Sequence, residues 1–489
     1  MITLEDLSAE LLEIVGSFLD PRDLKNFLST SKTLNGALRF ALFRRGIHWT
    51  FPHANDPEFI TDRGIHTSYG TNYTTTSKGH KLMQVLRKTP AAAAALHFLI
   101  LDYDCCLECR PFEGIVFKRS PCRRLNHELL SKLTGLRTLV LLGMYNHLLK
   151  GGRKLPPNLT KLNLTTFNPQ SQGGITHFPV ADVLETLRHP NLKTVLIDQT
   201  ALRNMIDGTF VRFFRRRAPI DNVHHLRMFD VPMKPLLLKL FLGHFTSLKH
   251  FYFSRGCRNI DSEGEDDGRW HGFLTLNDIS VALEEVQTTV QSVEICYGSC
   301  RHRWLGDNTQ LTSFHDFVEL KSLTIDPSMI LGRTVCPAVP IESHYLELSS
   351  LASKLPVGLE KLNLVIDLEQ AARTPQYAER ILGGLFVDRG KLPCLRTINI
   401  SGLNDSSQGL YYCCCPGPAT PICFAPPAIR GLWWPVSCEE SLADATFPSI
   451  APTPGSQFFA LHERFNDAGI TVNYIGDHNN DEGRWRAYP

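Results

Sequence analysis

Residues 156–165 read Pro-Pro-Asn-Leu-Thr-Lys-Leu-Asn-Leu-Thr, and the spacing of their three leucines decides the fold. Leu159, Leu162 and Leu164 make the pattern apolar-x-x-apolar-x-apolar. In an extended segment alternate side chains point to opposite faces, so Leu162 and Leu164 enter a core and the polar residues between apolar positions face outward. The pattern recurs upstream as Leu96/Leu99/Leu101 and Leu136/Leu139/Leu141. Downstream it returns as Leu192/Val195/Ile197, Val223/Leu226/Met228, Leu248/Phe251/Phe253, Val290/Val293/Ile295, Leu320/Leu323/Ile325, Leu359/Leu362/Leu364 and Leu395/Ile398/Ile400. These ten copies stand 23 to 42 residues apart, and several follow a lead-in such as Pro157-Asn158-Leu159, Pro190-Asn191-Leu192 or Pro393-Cys394-Leu395.

Amphipathic segments lie between the copies and read as helices: 180–188, 201–216, 234–245, 277–286, 344–354 and 379–386. A strand followed by a helix cannot bury its apolar face alone, whereas a stack of such units builds a continuous core. The pattern resembles the leucine-rich repeat. The resemblance implies an α/β solenoid, a horseshoe with parallel strands inside and helices outside. The family's asparagine, three residues after the last leucine, is absent, since Met144, Phe167 and Leu403 take that place. Uneven periods and a missing asparagine are similar to the F-box/leucine-rich-repeat proteins of many fungi. The solenoid is expected over 96–475, closed by a helix at 458–466 and a strand at 470–475, with a polar tail at 476–489.

Two insertions interrupt it. Residues 255–275 are acidic and apolar-poor, which marks a loop. Residues 401–455 carry Cys-Cys-Cys-Pro and Trp433-Trp434-Pro435. Proline at this density excludes helix and sheet interiors, while the aromatic residues are costly to leave in water. This segment folds onto the end of the array or meets a partner.

Residues 1–45 form a separate unit. Leu4, Leu7, Leu11, Ile14, Val15 and Phe18 make one helical stripe. Asp20 is placed to cap a second helix starting at Pro21, and Ser31 a third carrying Leu34, Leu38 and Leu42. About forty residues is near the lower limit for independent folding, so the surplus apolar face calls for a partner. The order Leu7-Ser8-Ala9-Glu10-Leu11-Leu12, Asp20-Pro21-Arg22-Asp23-Leu24 and Ser31-Lys32 resembles the F-box. Ser8 replaces the family's usual proline, and Leu34 its usual tryptophan. The resemblance implies docking onto a Skp-family adaptor of a cullin–RING ubiquitin ligase through Leu7, Leu11, Leu12, Ile14, Leu19 and Leu24. Residues 46–95 then read as a linker and the first repeat's helix.

The 51 basic residues nearly balance the 49 acidic ones, so no global field points to nucleic acid or membrane. No run of about 18 apolar residues is present for a membrane span. Acidic residues interrupt the N-terminal apolar stretch, which does not read as a leader. A cytoplasmic or nuclear location, with the 14 cysteines reduced, is the expectation.

Cys106, Cys109, Cys122 and His127 have finger-like spacing, but their order is unusual and they directly continue a strand. Thiols in a loop are the preferred reading, and neither metal nor cofactor is expected. No nucleophile elbow, phosphate loop or His-Glu-x-x-His motif occurs, so no enzymatic activity is expected. Cations fall between the first two apolar positions at Arg137, Lys161, Lys193, Lys249, Lys321, Lys361 and Arg396. They read as a solvated face or as a row that takes a protein substrate, acidic or phosphorylated.

Overall fold

The computed structural model describes residues 7, 8, 11, 12, 15, 16 and 19 of the N-terminal stripe. It further describes 21–38, 41–44, 46–50, 74–76, 85–102, 130–142, 155–165, 177–198, 201–203 and 218–229. Beyond these lie 231, 233–255, 274–297, 311, 313–331, 351–366, 376–402 and 463–475. The chain forms two compact units, residues 1–227 and 228–489, divided within the strand His225–Phe229.

In the first unit β1 (Ile47–Thr50), β2 (Thr74–Thr76), β3 (Phe98–Asp102), β4 (Thr138–Leu142) and β5 (Lys161–Thr165) belong to one sheet. Two short strands, β6 (His177–Pro179) and β8 (Ala201–Arg203), pair with each other alone, while β7 (Thr194–Asp198) extends the main sheet. The main order is β2-β1-β3-β4-β5-β7, parallel at every step. The N–H groups of His224 and His225, at the start of β9 (His225–Phe229), both donate to the Lys193 carbonyl. The second unit runs β10 (His250–Arg255), β11 (Ser292–Tyr297), β12 (Ser322–Ile325), β13 (Lys361–Ile366), β14 (Thr397–Gly402) and β15 (Thr471–Ile475). These too are parallel neighbours in chain order.

Each of the ten leucine patterns is a strand, and none of their thirty apolar residues is more than 7 % exposed. Each fully buried leucine or isoleucine contributes about 1.5–3 kcal/mol, so the stacked positions dominate the stability of both units. Helices return the chain between strands where the pattern predicts them: Val180–Leu187, Pro235–Leu242, Leu276–Leu283 and Gln376–Val387. The third opens with a capping box, Thr275 and Asp278 each bonding the other's backbone N–H.

One backbone feature repeats at nearly every strand. The His97 carbonyl accepts N–H bonds from both Arg137 and Thr138, and the Arg137 carbonyl from both Thr160 and Lys161. The Thr160, Lys249, Gln291, Lys321 and Glu360 carbonyls each accept a matching pair from the next strand. A shared acceptor interrupts simple alternation, as a bulge does. From Arg137 and Thr138 onward both residues between the first and second apolar positions thereby escape the core, while Leu136 and Leu139 on either side are buried; in the first repeat Phe98 stays buried.

The sheet begins before residue 96. Ile47–Thr50 lies in the segment read as a linker, yet it pairs with β3, Ile47 opposite Leu99. It escaped notice because it has one core aliphatic rather than three. Gly46 makes the turn into it at φ 98°, where a Cβ would strike the Phe98 side chain. The helix expected over 201–216 is also replaced at its start, because Ala201–Arg203 is a strand paired with His177–Pro179. The closing helix is seen at 463–467, and the closing strand at Thr471–Ile475. Most of the two insertions, the polar tail and residues 344–350 lie outside the described residues. Among the described residues no helix is long and apolar enough to cross a membrane.

Candidate functional site

The N-terminal helices close on a core of Leu12, Leu24, Leu34 and Leu38, with Leu7, Leu19, Phe27 and Leu28 packed around it. Ser31 caps its helix as expected, accepting from the Thr33 and Leu34 N–H groups. Ser8 also acts as a cap: its Oγ accepts from the Leu11 N–H at 3.4 Å, and its carbonyl from the Leu12 N–H at 3.0 Å. Ser8 therefore organises the start of the first helix. Gly16 is buried between Leu24 and Leu38, where an added Cβ would meet Leu38 at 3.2 Å.

The six leucine and isoleucine residues assigned to adaptor docking separate into classes. Leu12 and Leu24 are interior, at 2 % and 0 % exposure, and hold the helices together. Leu7 and Leu19 are half-buried at the edge of that core. Leu11 is 49 % exposed, an aliphatic side chain presented to solvent beside the capped helix start. Ile14 and the cap expected at Asp20 lie outside the described residues. The helix Ala41–Arg44 contacts the helix Pro90–Ala95, and the chain passes through Gly46 directly into β1.

In each unit the cations occupy a strip opened by the shared carbonyls. Arg137, Lys193, Lys249, Lys321 and Arg396 immediately precede strands; Lys161 and Lys361 are the first strand residues, offset by one. All seven are exposed. In the second unit the strip also holds Glu360, whose carboxylate sits 3.3 Å from Lys321 Nζ. In the first unit the strip runs His97/Phe98, Arg137/Thr138, Thr160/Lys161 and Lys193/Thr194, without a carboxylate. Burial, and then the charges of Arg137 and Arg44, hold the His97 imidazole below its ordinary pKa.

Two sets of asparagines escaped the sequence reading, which looked for that residue only after the strand. Asn158 donates to the Thr134 carbonyl, Asn191 to that of Pro157, and Asn222 to those of Leu187, His189 and Leu192. Each stands one residue before the first apolar position and ties its repeat to the preceding one. The signal was present in the lead-in Pro-Asn-Leu. The second set lies within strands of the second unit: Asn363 donates to Thr324 Oγ1, Asn399 to Asn363, and Asn473 to Asn399.

Cys106, Cys109, Cys122 and His127 lie outside the described residues. No protein-family model matches the chain, and no curated protein matches its sequence.

Proposed function

We propose that this protein is the substrate-recognition subunit of a Skp–cullin–F-box ubiquitin ligase. The observation that carries the reading is Leu11, an exposed aliphatic on a helical unit that has already filled its own core with Leu12, Leu24, Leu34 and Leu38. Leu11, together with the half-buried Leu7 and Leu19 at the edge of that core, is what an adaptor groove would cover. The leucine-rich-repeat horseshoe implied by the pattern would then hold the target. Ubiquitin transfer follows from bringing target lysines near the loaded conjugating enzyme, an effect of proximity. Action would be in the cytoplasm or nucleus, where such ligases work.

The test is co-purification of a Skp-family adaptor with wild-type protein and with Leu11→Asp. Loss of adaptor at unchanged solubility and helicity is the expected result, and equal recovery defeats the proposal. Leu12→Asp is unsuitable, because it places a charge in the core.

A second reading has its own observation. The helix Ala41–Arg44 rests on Pro90–Ala95, as a cap would on the first repeat of a binding scaffold unrelated to ubiquitin. Deleting residues 1–45 separates the two readings. A cap's loss exposes core and aggregates the protein, whereas a detachable docking unit leaves a soluble array.

A further inference from the structure

We infer that the strip at the strand starts of the first unit is the surface that takes the target, and that the target presents a short acidic segment to it. This inference rests on the receptor reading above and names the substrate class of that reading. Arg137, Lys161 and Lys193 stand on three consecutive strands, held in step by the shared carbonyls of His97, Arg137 and Thr160. Strand spacing places Arg137 and Lys193 about 10 Å apart at Cα, with Lys161 about 6 Å from each. Their side chains have no ion-pair or hydrogen-bond partner among the described residues, and all three are exposed.

Like charges at this spacing repel one another, a cost that a bound anion removes. The strip of the second unit differs, since Glu360 already neutralises Lys321. Thr138 and Thr194 flank the three cations with hydroxyl groups, giving donors as well as charge. An extended peptide places alternate side chains about 7 Å apart, so anions two residues apart can span neighbouring cations. The guanidinium of Arg137 suits a carboxylate or a phosphate equally, and both share this chemistry.

The test uses the full chain and three fluorescein-labelled peptides of one sequence, differing only at two positions two residues apart. These positions carry glutamate, phosphoserine or glutamine, and binding is read by fluorescence anisotropy. Wild type should bind at least one anionic peptide about tenfold more tightly than the glutamine peptide, with affinity falling as salt rises. The variant Arg137→Gln/Lys161→Gln/Lys193→Gln should lose that preference. The charge-matched control Lys249→Gln/Lys361→Gln/Arg396→Gln should keep it. Equal binding of all peptides by wild type overturns the inference, as does equal loss in both variants. Tighter binding of a single-stranded RNA of equal charge also overturns it, since the strip would then be a polyanion site. The adaptor is absent from this assay, so peptide binding without adaptor co-purification would defeat the ligase reading alone.

Discussion

Asn399 donates its side-chain amide to the Oδ1 of Asn363 at 2.6 Å, the two residues lying opposite each other on adjacent parallel strands. Asn473 extends the chain by donating to Asn399 at 3.0 Å, and Asn363 in turn donates to Thr324. β15 is thus joined to β14 through a side-chain ladder as well as through its backbone. Asn399→Ala leaves the Asn363 oxygen and the Asn473 amide without this partner, and should cost about 1–3 kcal/mol. Urea unfolding of the second unit's transition measures it, and an unchanged midpoint would remove the ladder from the account of stability.

Gly135 is a site of close approach. A Cβ there would overlap the Ala94 carbonyl, so the backbone of one repeat seats directly on the helix before it. Gly135→Ala must push the Pro90–Ala95 helix away from the sheet. The expected outcome is a drop in melting temperature larger than that of Gly383→Ala, where nothing lies within contact distance. The Gly383 change sits within a helix and should be neutral or stabilising, as alanine is the better helix former.

Leu24 and Leu11 should respond oppositely to truncation. Leu24 is wholly buried, and Leu24→Ala should destabilise the N-terminal helices by about 2–5 kcal/mol. Leu11 is half exposed, and Leu11→Ala should change stability by no more than about 0.5 kcal/mol. Hydrogen exchange localised to residues 11–38 distinguishes them. Matching losses would mean that Leu11 packs into the unit rather than awaiting a partner.

Acid should weaken the first unit through two imidazoles. Burial, then Arg137 and Arg44, lower the pKa of His97 from 6.5, and burial lowers that of His189, whose Nδ1 has no hydrogen-bond partner among the described residues. The unfolded chain takes up these protons near the ordinary value while the folded chain resists them. Stability is therefore whole above the unfolded pKa and falls as pH drops through it toward the lower folded values. His97→Asn with His189→Asn should flatten the decline below about pH 6.5 in denaturation midpoints, relative to wild type. An unaltered slope assigns the decline to other groups.

Much of the architecture was legible because burial imposes a period. Leu159, Leu162 and Leu164 announce a strand by spacing alone, and so do the other nine triplets. Ser31 announced a cap, because a hydroxyl at a helix start has one favoured role. Ile47–Thr50 was not legible, since a strand supported by neighbours on both sides needs few core residues of its own. The apolar residues of the N-terminal unit were legible as a class. Which of them face inward was not, for Leu11 and Leu12 are adjacent, chemically identical and oppositely placed.

By itself the sequence determined the repeat, the parallel α/β character and the helical unit ahead of it, because apolar periodicity encodes which face is buried. The pattern lined up Arg137, Lys161 and Lys193, and only the tertiary structure decided that they share a strip opened by paired N–H donors. That sharing depends on a carbonyl in one strand accepting two N–H groups from the next, a bond between residues distant in the chain. The same holds for the asparagines: Asn363, Asn399 and Asn473 are isolated polar residues in sequence, and only parallel register makes them a ladder.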